Sequence, residues 1–105
     1  MAGQPFDLTT TEIHRWEVDA VRAAAVDGTL TLSGHAGKEA AKESIPEAAV
    51  FEVVAEGQAV SKDIGQKANR HNGINFEGKI PDGRRIRVKV GYLADVFVIA
   101  TVHGI

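Results

Sequence analysis

Histidine is the side chain best suited to acid–base chemistry near neutral pH, since an unperturbed imidazole titrates near ~6.5. The chain has four, His14, His35, His71 and His103. None sits at the short spacing of a metal-binding pair, and no H-E-x-x-H run is present. The absence of cysteine removes thiolate nucleophiles, disulfides and cysteine-based metal sites. A phosphate-cradling G-x-x-x-x-G-K-[ST] run and a dinucleotide fingerprint are missing too. No cofactor and no metal are expected. His14, beside Arg15, reads as a solvated helix residue. His35 follows Gly34 at a strand-to-helix junction. His103 comes two residues after Thr101 in a strand-like run, so the two side chains share a face.

Metal-independent RNA cleavage is the chemistry such groups support. A base takes the ribose 2′-OH proton, an acid protonates the departing 5′-oxygen, and donors stabilise the charge that builds on phosphorus. Arg70, Arg85, Arg87, Lys89 and the Thr101 hydroxyl are the donors at hand, and His71 adjoins Arg70. RNA contact is therefore expected from Arg70, His71, Arg85, Arg87 and Lys89. A sheet whose exposed face is simply basic is the competing reading.

The net charge of −2 conceals an uneven distribution. Residues 1–61 carry four basic and ten acidic side chains, whereas residues 62–89 carry eight basic and three acidic ones. Such asymmetry fits a polyanionic partner, or two halves that attract each other.

The elements that position these groups belong to one domain of 105 residues, 44% apolar and 25% charged. No apolar run approaches the ~18–20 residues of a membrane span, and no signal peptide is read near Met1. Thr9 and Glu12 have capping-box spacing, which predicts a helix from Thr10 with Ile13, Trp16, Ala20 and Ala24 on its apolar stripe and a stop at Gly28. Residues 29–33 read as a short strand. A helix follows Gly34, breaks near Ser44, and restarts over 45–56 behind a second capping box, Ser44 and Glu47. From 59 onward the period is two: a weak strand over 60–64, a polar loop over 65–73, and a hairpin of 74–80 and 84–92 about Pro81-Asp82-Gly83. After a turn at Leu93-Ala94-Asp95, the most apolar strand, 96–102, is expected to be central. The order predicts an α+β domain: N-terminal helices packed on a four- or five-stranded antiparallel sheet.

The run Ser33-Gly34-His35-Ala36 through Ile45 to Gly57, then Gly83-Arg84-Arg85-Ile86-Arg87-Val88 and Val98-Ile99-Ala100-Thr101-Val102, resembles a small bacterial family of unknown function allied to BrnT- and RelE-type toxins. The family pattern is H-A-x-x-R, a helix ending in glycine, a G-R strand and a closing I-T-V-like strand. The resemblance spans about 30–105 and leaves the first helix (1–28) outside. It implies a RelE/barnase-like fold, activity as an RNA-cleaving toxin, and His35 and Thr101 as site residues; attack by the 2′-OH, with no external water in the first step, would leave 2′,3′-cyclic phosphate ends. Glu39 stands where the family has arginine. It is either a second acid/base group beside His35 or the mark of a member that no longer cleaves.

Two functions follow as expectations. One is a ribonuclease toxin, a type II toxin or the C-terminal toxin domain of a larger secreted protein, with catalytic residues His35, Thr101, His103 and Glu39. Its partners would be substrate RNA and an antitoxin or immunity protein, in the bacterial cytosol, with neither membrane nor DNA involved. The other is a non-catalytic module of the same fold that binds a partner protein or RNA.

Overall fold

The first helix begins five residues later than the capping-box spacing predicts, and on a different face. The computed structural model describes residues 5–65 and 72–105. In it α1 spans Arg15–Asp27 with His14 at its N-cap. The Thr9 hydroxyl instead donates to the Asp7 carboxylate at 2.5 Å. The buried residues of α1 are Glu17, Val21 and Ala24. Trp16, expected in the core, is 51% exposed and stacks on the His14 ring. The reason is a buried ion pair. Glu17 points inward to meet Lys62, and both side chains are fully buried. That contact rotates the inward stripe away from Trp16. Gly28 ends the helix as expected, with φ at 83°, a conformation that costs a residue without Cβ little.

A two-residue strand β1 (Thr31–Leu32) leads into α2 (Gly34–Lys42), whose first turn is capped by Ser33 accepting the Ala36 N–H at 3.0 Å. The expected break falls at Ser44, which takes φ 55°. The Ser44–Glu47 box does not form, and Pro46 is the N-cap of α3 (Glu47–Glu56). Ile45, Ala49, Val50, Val53 and Val54 are buried as their spacing predicts. Arg22 donates to the carbonyls of Val54 and Gly57, tying α1 to the end of α3.

The remainder is a meander: β2 (Gln58–Asp63), β3 (Gly73–Lys79), β4 (Arg85–Leu93) and β5 (Val96–Gly104). Ala94 and Asp95 both have positive φ, the pattern of a tight two-residue hairpin turn. β4 and β5 are antiparallel neighbours, as expected. The five strands run in the order β1-β5-β4-β3-β2. Two expectations are corrected. The sheet is mixed and not wholly antiparallel, because β1 pairs parallel to β5, with Thr31 opposite Val98 and Leu32 opposite Ile99. A parallel pair needs a long crossover, and α2, α3 and the meander supply it. The central strand is β4; β5 lies second, between β4 and the short β1.

One hydrophobic cluster joins the sheet residues Phe76, Ile86, Val88, Val90, Ile99 and Val102 to apolar side chains of all three helices. Each valine, isoleucine or phenylalanine among them contributes ~1.5–3 kcal/mol on full burial. The segment before α1 closes one part of this core through Phe6, with Leu8 and Ile13 packed against it. It is clasped there. The Lys62 ammonium donates to both Glu17 oxygens and to the Asp7 carbonyl at 2.8–3.1 Å, while Glu17 accepts the N–H groups of Asp7 and His14. Burial pushes the Glu17 carboxyl up, but the His14 N–H, the Lys62 ammonium and the Asp7 N–H outweigh it and hold it below its ordinary value. Among the described residues no helix is long and apolar enough to cross a membrane.

Candidate functional site

Strict alternation along β5 would put Thr101 on the same face as Ile99, toward the helices. A register shift between Lys89 and Val90 prevents this: Val90 pairs with Ile99, but Lys89 pairs with Thr101, so Ala100 is the extra residue. A bulge re-aims the side chains that follow it. Thr101 thereby joins Lys89 on the face away from the core, and His103, paired with Arg87, follows it. The face-sharing of Thr101 and His103 read from the sequence is met in this register.

His35 is the second residue of α2, and its side chain is largely exposed. Its Nε2 lies 3.3 Å from Oε2 of Glu39, one helical turn on. The other oxygen of Glu39 accepts the backbone N–H of Val102 at 2.9 Å. One turn further, Glu43 accepts the N–H of Gly104 at 3.1 Å. Beyond its short pairing with β1, the outer edge of β5 thus meets two carboxylates, Glu39 of α2 and Glu43 at its C-cap. Glu39 caps a strand edge with one oxygen and lies beside the imidazole with the other.

His35 and Thr101 line one cavity of about 600 Å³, together with Ser33, Asn72 and Tyr92. Its remaining wall is mostly apolar and includes Phe6 and Leu8 of the N-terminal segment. His103 is exposed on the neighbouring strand position and does not line this cavity.

The basic strand is more neutral than its sequence implies. Arg87 donates to Glu77, directly opposite on β3, with Nε at 2.7 Å. Lys89 lies 3.1 Å from Asp63, which also accepts from Asn75. Arg84 is spent on Asp82 and on the Glu43 and Ser44 carbonyls at the end of α2. Arg85 differs. It is exposed and stands directly opposite exposed Lys79, and neither makes an ion pair among the described residues. Like charges facing each other across strands repel, so this corner is a concentrated positive patch. Arg70 and His71 lie outside the described residues.

Sequence reasoning passed over Lys79, Tyr92 and Asn72. Lys79 carried a signal, since a hairpin about Pro81-Asp82-Gly83 sets it against Arg85. Tyr92, the chain's only tyrosine, falls at the end of the strand read over 84–92. Phe6 and Leu8 gave no signal, because nothing local tells that the segment folds back on the sheet. No group of three or more His, Asp or Glu converges as a metal site among the described residues. No family model, curated protein or solved structure matches the chain.

Proposed function

We propose that this chain is a metal-independent ribonuclease toxin with a RelE/barnase-like arrangement of its α+β fold. It would act as a type II toxin or as the toxin domain of a larger secreted protein. The observation that carries this reading is the meeting of His35 and Thr101 in one cavity, with Glu39 linking His35 to the strand at Val102. Neutral His35 takes the proton of the ribose 2′-OH, and the freed oxygen attacks the adjacent phosphorus. The bond to the 5′-oxygen breaks, and that oxygen collects a proton from an acid. His103, on the face of Thr101, is the described histidine best suited to supply it. The Thr101 hydroxyl donates to a non-bridging oxygen as charge builds there. Glu39 orients the imidazole, as the third member of a nucleophile–base relay does. Phosphates further along the strand reach the Lys79–Arg85 corner, where neither cation has an ion-pair partner among the described residues.

The capture of Glu39 and Glu43 by backbone N–H groups, with the pairing of Arg87 and Lys89, favours a second reading. In it, the same fold is a binding module and Glu39 serves only the strand edge. The two readings part in one experiment. Purified protein is incubated with cellular RNA in chelator, beside the His35→Ala variant. The ribonuclease reading expects fragments ending in 2′,3′-cyclic phosphate and a loss of about 10²–10⁴-fold in the variant. Expression in a bacterial host should arrest growth unless a neighbouring antitoxin or immunity gene is supplied. Intact RNA with the wild-type protein leaves the binding module standing.

A further inference from the structure

We propose that Lys79 and Arg85 bind the second phosphate downstream of the bond that is cut, so that single-stranded RNA runs 5′ to 3′ from the His35 cavity toward the β3–β4 turn. The inference rests on the ribonuclease reading, to which it adds a polarity and a minimum substrate length.

The open face of the sheet is laid out in rows. Thr101 stands opposite Lys89, His103 opposite Arg87, and Arg85 opposite Lys79. Arg85, Arg87 and Lys89 alternate along β4, so all six side chains share the face away from the helices. In two of these rows the charge is already met. Arg87 donates to Glu77, and Lys89 lies 3.1 Å from Asp63. The Lys79–Arg85 row is cationic with no ion pair among the described residues. The carboxylates of Asp82 and Glu43 are engaged by Arg84 and by the Gly104 N–H. Two cations held face to face repel each other, and a phosphate between them relieves the repulsion. The unmet positive charge of this face therefore lies two rows from Thr101. Four residues of strand cover ~13 Å, about twice the spacing of successive phosphates in an extended single strand.

The order of groups along β5 sets the direction. α2 runs beside this strand, with Glu39 at Val102 and Glu43 at Gly104. His35, one turn before Glu39, therefore lies on the Ala100 side of Thr101, and His103 lies on the other. A base at His35 serves the ribose upstream of the scissile phosphate, whose 2′-OH it deprotonates. An acid at His103 serves the 5′-oxygen of the nucleotide downstream. The chain beyond that oxygen continues past Arg87 to the corner. In-line attack needs the 2′-oxygen, the phosphorus and the 5′-oxygen aligned, which a paired A-form helix does not allow, so the substrate is single-stranded. Between Thr101 and the corner this face carries no phenylalanine, tyrosine or tryptophan. The downstream contacts are thus to phosphate and carry no base preference.

The test uses oligoribonucleotides with one cleavable ribose and 2′-O-methyl groups elsewhere, which fixes the position of the cut. A neutral methylphosphonate replaces one phosphate at a time. Cleavage in chelator is measured for the wild type and for the Lys79→Gln, Arg85→Gln double variant. In the wild type, neutralising the second phosphate 3′ of the cut should raise KM about ten-fold and leave kcat unchanged, the mark of binding lost equally from ground and transition states. Neutralising the second phosphate on the 5′ side should leave KM unchanged. In the double variant KM is already raised, and the 3′ replacement should cost nothing more. Equal responses to the 5′ and 3′ replacements in the wild type overturn the polarity, and this comparison needs no variant to fold. A 3′ loss that persists in full in a folded double variant overturns the assignment to Lys79 and Arg85. The two readings fail separately. A cut that ignores every downstream phosphate removes the subsite and keeps the ribonuclease. No cut in any oligonucleotide removes the ribonuclease and the polarity with it.

Discussion

The Oε1 of Glu39 accepts the backbone N–H of Val102 at 2.9 Å, joining the middle of α2 to the strand that carries Thr101. A hydrogen bond to a charged acceptor contributes ~1.5–3 kcal/mol, about twice a neutral one. Glu39→Ala should therefore lower unfolding free energy by about 1–2 kcal/mol, after allowing for water replacing the lost acceptor. Glu39→Gln keeps an acceptor and should lose less than half of that. Urea titrations with unchanged slope measure both. Equal stability of the alanine variant and wild type would show that the edge bond contributes nothing.

The buried pair of Glu17 and Lys62 predicts an asymmetric response. Lys62→Met strips the carboxylate of its ammonium partner and should destabilise the protein by ~3–5 kcal/mol, the usual consequence of an orphaned buried charge. Adding Glu17→Gln removes that charge and should restore part of the loss. A double variant less stable than Lys62→Met alone would contradict this.

Acid should loosen the N-terminal segment through Asp7. The Thr9 hydroxyl and N–H, with His14, lower its pKa from 3.8 to about 2. A depressed carboxyl stabilises the fold fully above its unfolded value, and that contribution disappears as pH falls through the folded one. The window is therefore about pH 4 down to about 2. Asp7→Asn should flatten stability across this interval. Acid titration of Trp16 fluorescence, which reports on the His14 stack beside the segment, follows the change.

Salt dependence should separate the cations. Each phosphate contact released adds nearly one to the slope of log affinity against log salt, ~0.7 for a single strand. Arg85→Ala and Lys79→Ala should each reduce the slope for single-stranded RNA by about that amount. Arg87→Ala should change it far less, because Glu77 already neutralises that guanidinium. A larger effect at Arg87 than at Arg85 would mean that the ion pair opens on binding.

What could be read in advance follows from locality. The hairpins, the Gly28 stop and the buried face of α3 depend on residues within a few positions of one another, and the sequence spacing shows them. The inward turn of Glu17 depends on Lys62, 45 residues away, so helical spacing alone puts Trp16 and not Glu17 on the buried face of α1. The parallel β1–β5 pair was missed for the same reason, since two residues of strand carry no period. At the site, the face shared by Thr101 and His103 was legible from their spacing alone. The bulge at Ala100 that turns them outward was not, and neither was the pairing of Lys89 with Asp63.

The side chain of Ser33 lies 3.4 Å from the carbonyl of Ala100, across 67 residues of chain. Contacts of such separation are entropically the costliest to close, and nothing offsets that cost until the intervening elements exist. The β1–β5 seam thus carries a high loop-closure cost, and His35 and Thr101 share their cavity only across it. A nascent or threaded chain has no such cavity until β5 has docked. The cavity is therefore a property of the closed long-range seam and of no shorter segment.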